Sequence, residues 1–79
     1  MSRHEWEDGD YKHTVGWDQP LITFFYQKHD KDGEVVTWEG ITPGQYYDLD
    51  TFIPMLRRKG ISLPPEIQQQ LHKDRDDGA

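Results

Sequence analysis

Residues 21–28 read Leu-Ile-Thr-Phe-Phe-Tyr-Gln-Lys, and this segment limits the fold more than any other. It is dense in strand formers. In an extended chain Ile22, Phe24 and Tyr26 share one face, while Leu21, Thr23, Phe25 and Gln27 share the other. Rings on both faces predict a central strand with material on each side. The chain has only 79 residues to supply that material. A domain this small buries only about 60% of the surface its unfolded form exposes.

The neighbouring segments predict what surrounds this strand. Residues 29–33 form a polar turn, with Asp32-Gly33 as its strongest signal. Residues 34–39 return as a second strand, with Val36 and Trp38 on one side and Val35, Thr37 and Glu39 on the other. Upstream, Thr14, Val15 and Trp17 suggest a third strand near 13–17 that ends at Pro20. Leu49, Phe52, Ile53 and Leu56 lie at helical spacing and make one apolar stripe. Asp48 and Asp50 suit the start of that helix, Arg57, Arg58 and Lys59 its end, and Gly60 its stop. Pro54 lies inside it and removes one hydrogen bond. Pro64-Pro65 opens a second helix, with Ile67 and Leu71 turned inward.

The expected fold is therefore α+β. A small antiparallel sheet, with its central hairpin at 21–39, packs against a helix at 48–59 and a short C-terminal helix at 65–74. Phe24, Trp38 and Phe52 are the expected core rings. One domain is expected over 13–74. Residues 1–12 read as a flexible leader, because Glu5, Glu7, Asp8 and Asp10 outnumber the anchors Trp6 and Tyr11. Residues 75–79 read as a disordered tail.

Composition excludes several functions. There is no cysteine, so disulfides and thiolate metal sites are ruled out and a cytoplasmic setting is expected. Apolar runs extend only a few residues, so no segment reads as a membrane span or a signal peptide. A net charge of −6 opposes binding to nucleic acid or anionic lipid.

Chemistry-bearing patterns are weak. Asp30, Asp32, Gly33 and Glu39 resemble part of a calcium loop, but Lys28 stands where the first ligand belongs, and a hairpin turn explains them. His4, Asp8, Asp10 and His13 match no compact metal-ligand spacing. Ser62 beside a proline-led helix reads as a capping residue, and no nucleophile elbow or phosphate-binding glycine loop is present. No cofactor is called for. Arg57, Arg58 and Lys59 could contact an anion, though cations at a helix C-terminus need no ligand to explain them.

The ten aromatic side chains carry more information, since they exceed what one small core holds. Trp17, Phe25, Tyr46 and Tyr47 are the candidates for a second, partner-binding sheet face; the alternative is that the leader or second helix covers them. The favoured function is a small acidic interaction module, such as an adaptor, inhibitor or regulatory subunit. It would bind a protein partner or a second copy of itself, without nucleic acid or membrane. The alternatives are a small metal- or ligand-dependent enzyme, which would need His13 or His29 beside a carboxylate, and a nucleic-acid-binding regulator using the basic helix end.

Overall fold

The computed structural model describes residues 2–78. Four strands form one antiparallel sheet in the order β1-β2-β3-β4, and two helices follow. The strands are β1 (His4–Asp8), β2 (Tyr11–Asp18), β3 (Thr23–His29) and β4 (Val35–Glu39). The helices are α1 (Leu49–Arg58) and α2 (Pro65–Asp77). The α+β class, the hairpin and both helices agree with the sequence expectation.

Pairing sets which side chains share a face. Val15 lies opposite Tyr26, and Trp17 opposite Phe24. These four meet Phe52, Met55 and Leu56 of α1, Leu71 of α2, and Ile61 and Leu63 between the helices. The result is one apolar layer between the sheet and both helices. Phe24 stacks on Phe52 at 5.5 Å and Trp17 meets Phe24 edge-on at 4.8 Å. Phe24 and Phe52 are fully buried, as expected.

Trp38 is not a core residue: it is 53% exposed. It lies opposite Gln27, on the face that Phe25 shares and the helices do not cover. The helix face of β4 carries Thr37 and Glu39 instead, opposite Lys28 and Tyr26. A register irregularity at Lys28 and His29 interrupts the alternation between the paired strands. A one-residue slip moves every following side chain to the other face.

The expected flexible leader is instead a strand. Residues 4–8 form β1 and pair with β2 through a two-residue turn at 9–10. Trp6 stacks on His13 at 5.0 Å and packs against the core. Glu5 reaches Lys12 at 3.2 Å, and His4 Nε2 lies 2.6 Å from an Asp74 carboxylate oxygen on α2. Polar contacts thus hold a strand that apolar patterning does not announce.

The expected tail at 75–79 is also ordered for most of its length. Helix α2 continues to Asp77, and Gly78 closes it in the left-handed conformation. Arg75 anchors this last turn by donating to the Tyr47 carbonyl and the Asp48 carboxylate. Asp48 is therefore the N-cap of α1 by position, but its side chain serves Arg75 rather than the helix amides. Residues 1 and 79, which the leader and tail expectations also included, lie outside the described residues.

Leu21 and Ile22, expected in the central strand, form the turn before it. Ile22 adopts φ +53°, a left-handed value that a β-branched residue rarely takes. Its amide donates to the Gln19 carbonyl at 3.2 Å.

Candidate interaction surface

The strand β4 pairs with β3 only along residues 26–29 of that strand. Nearer the start of β3, the loop after β4 takes the same edge. The Phe24 amide donates to the Tyr46 carbonyl, and the Tyr46 amide to Thr23 Oγ1, each at 2.8 Å. Gly40 makes this crossing possible. It is buried at φ +83°, pressed on the Phe24 carbonyl, and an added Cβ would stand 2.7 Å from the Phe25 Cα. Only glycine fits a backbone approach of this kind.

The sheet face away from the helices has two halves. On β1 and β2 it is charged: Glu5 contacts Lys12 and Arg3, and Thr14 donates to Glu5. The Lys12 ammonium holds the Glu5 carboxyl below its usual value. On β3 and β4 it is apolar. The Phe25 ring lies across Gly16, where a Cβ would stand 2.7 Å from the ring edge, and only 5% of Phe25 is exposed.

Trp38, Ile41, Val35 and Val36 remain largely exposed beside it. Phe25, Gly40, Leu21, Trp38 and Ile41 line a groove of about 270 Å³, with Arg3, Asp18 and Gln27 as its polar rim. No backbone hydrogen bond reaches the outer edge of β4 among the described residues.

The sequence candidates do not gather there. Trp17 is 2% exposed, on the helix side, with Nε1–H donating to Gln19 Oε1 at 2.6 Å. Tyr46 is half-buried against Phe52 and donates to Glu39 at 2.9 Å. Burial, and then the Glu39 carboxylate, push its hydroxyl above the ordinary value. Tyr47 is 49% exposed but packs edge-on to Trp17, with the Arg75 guanidinium 4.9 Å above its ring. Of the four, only Phe25 faces the groove, as part of its base. Sequence reasoning missed Leu21, Trp38 and Ile41. The signal available for Trp38 was that β4 is the last strand of a meander, and so an edge.

Asp30 Oδ1 accepts from the amides of Asp32 and Glu34, which closes the β3–β4 turn. No three metal-ligating side chains converge among the described residues. His13 pairs with the Tyr26 hydroxyl and His29 with Gln27, and no carboxylate is hydrogen-bonded to either among the described residues. Of two close His–Asp pairs, His4 with Asp74 ties β1 to α2, and His72 with Asp76 lies within α2. Arg57 and Arg58 are exposed at the end of α1, and Lys59 is drawn to Glu39 at 3.8 Å.

No protein-family model, curated protein or solved structure matches the chain. Among the described residues, no helix is long and apolar enough to cross a membrane.

Proposed function

We propose that this chain is a protein-interaction module that binds through the apolar half of its open sheet face. One observation carries the reading: Trp38, 53% exposed, stands between the groove over Phe25 and the outer edge of β4, which is unpaired among the described residues. Tryptophan offers large contact area at a small entropy cost, and it is enriched where proteins meet. An open edge supplies backbone hydrogen bonds to an extended partner segment, and a neighbouring pocket selects its side chain. The occupant is thus polypeptide, with an apolar side chain for the groove.

The test is affinity capture with the wild-type chain and a Trp38→Ser/Ile41→Ser variant. An Arg57→Ser/Arg58→Ser variant serves as control. The reading expects specific binding that the first variant loses and the control keeps. Binding that survives loss of Trp38 and Ile41 but fails in the control would move the site to the end of α1.

A further inference from the structure

We infer that a second site, on the helix side of the sheet, binds a small carboxylate at His13 Nε2. It shares no residue with the groove over Phe25 and does not depend on that groove's role.

The strand register builds it. Trp6 lies opposite His13, and His13 opposite Lys28, so one row of side chains crosses β1, β2 and β3. Alternation along β2 puts this row on the face of Val15 and Trp17. Asp8 and Tyr11 pair in the next row outward. The segment between the helices borders these rows. From it, Lys59, Ile61 and Ser62 complete a pocket of about 170 Å³.

His13 is the buried member, 5% exposed. Trp6 and Tyr26 stack on its ring at 5.0 and 5.8 Å, and the Tyr26 hydroxyl occupies Nδ1. Nε2 makes no hydrogen bond among the described residues. Yet no fully buried side-chain nitrogen or oxygen among them lacks a partner. Nε2 is therefore not sealed in, and its free surface opens on the pocket that His13 lines. A polar atom so deeply set is normally matched by a partner.

Charge selects that partner. Two ammonium groups, Lys28 and Lys59, line the pocket with one carboxylate, Asp8. Lys28 forms no ion pair among the described residues, and its Nζ lies 4.1 Å from the Tyr11 ring centre. Lys59 is held loosely, 3.8 Å from Glu39. A metal cation would meet both ammonium groups and would find no three ligating side chains together among the described residues. An anion can accept from an Nε2–H and from the ammonium groups at once. Asp8 opposes an anion, and opposes two negative charges more than one. A carboxylate thus suits the site better than a phosphate dianion. Trp6, Tyr11 and Ile61 offer apolar wall for its short hydrocarbon or aromatic tail. Once bound, the carboxylate holds the imidazole proton on Nε2 and leaves Nδ1 to accept from Tyr26.

The test titrates benzoate into the nitrogen-15-labelled full chain at pH 7.5 and constant ionic strength, with acetate and phosphate as further arms. The expected result is a saturable shift of the His13 ring and Trp6 indole signals, with millimolar affinity. Long-range proton–nitrogen spectra should show the Nε2–H tautomer gaining population. His29 and His72 should not move. Lys28→Gln should weaken binding about three- to five-fold, the worth of one partly exposed ion pair. Asp8→Asn should tighten it by a similar factor. Amide spectra check that both variants fold, and Lys59→Gln gives a second loss of charge from outside the sheet.

No saturable shift with any of the three anions overturns the inference. So does weaker binding in Asp8→Asn, which would mark a cationic group on the ligand. Equal shifts at all four histidines would show binding to charge in general and overturn it too. Phosphate bound more tightly than benzoate would overturn the choice of a carboxylate.

Discussion

The Tyr26 hydroxyl lies 2.7 Å from His13 Nδ1, and both side chains are buried. Burial pushes the Tyr26 hydroxyl up to about 12, so it keeps its proton. The direction of this bond follows the imidazole tautomer; with the ring proton on Nε2, the hydroxyl donates and Nδ1 accepts.

A second proton on Nδ1 would reverse this bond, leaving the Tyr26 hydroxyl proton without an acceptor among the described residues. Burial holds His13 below the ordinary imidazole value; Asp8 pulls it upward and Lys28 pushes it down. The folded value is therefore lower than the unfolded one, near 6.5. The linked stability is fully present above pH 6.5 and is lost as pH falls through the depressed value. Urea unfolding at pH 8, 7, 6 and 5 should show this loss. The loss should shrink in His13→Gln, which accepts from Tyr26 but does not titrate. Equal losses in both proteins would refute the assignment. Tyr26→Phe should cost about 1–3 kcal/mol at pH 7.5, because Nδ1 is left buried and unmatched.

Two tryptophans should differ sharply in their response to truncation. Trp17→Ala removes a buried ring that meets Phe24 and Tyr47, and should cost about 3–5 kcal/mol. Trp38→Ser removes an exposed ring and should shift monomer stability by about 1 kcal/mol or less. Denaturant midpoints, measured at low protein concentration, decide between this placement and a core role for Trp38.

Ile22 should tolerate replacement with a gain. Its left-handed backbone costs a β-branched residue about 1–2 kcal/mol, while its exposed side chain gives little burial in return. Asn occupies this conformation more readily. Ile22→Asn should raise unfolding stability by about 0.5–1 kcal/mol. A lower midpoint would show that Ile22 has a packing role that outweighs its strain.

The His4–Asp74 contact should govern how tightly β1 is held. Asp74→Ala should cost about 1–2 kcal/mol, as expected for a charge-assisted hydrogen bond that is partly buried. Hydrogen exchange should rise first in β1 and in the last turn of α2, and least in β3. Uniform loss of protection across the sheet would mean that β1 does not open separately.

Local physics made much of the fold legible. The stripe of α1, the proline start of α2 and the Asp32-Gly33 turn each follow from short-range pattern and backbone preference. What could not be read depends on contacts distant in sequence. Strand β1 has one large apolar side chain, Trp6, and is fastened by an aspartate 70 positions away. Likewise the last turn of α2 is held by Arg75 reaching the start of α1. For the surface, alternation paired Trp38 with Val36 correctly but not with the right face. That choice rests on register with β3 and on where the helices end, neither of which β4 itself encodes.

Every strand of the sheet neighbours the next in sequence, and the connections occupy only residues 9–10, 19–22 and 30–34. Closing such short loops loses little chain entropy, so the hairpins can zip up one after another on the microsecond scale. The fastening of α2 to β1 joins residues 70 positions apart, and so closes the longest loop of any side-chain hydrogen bond among the described residues.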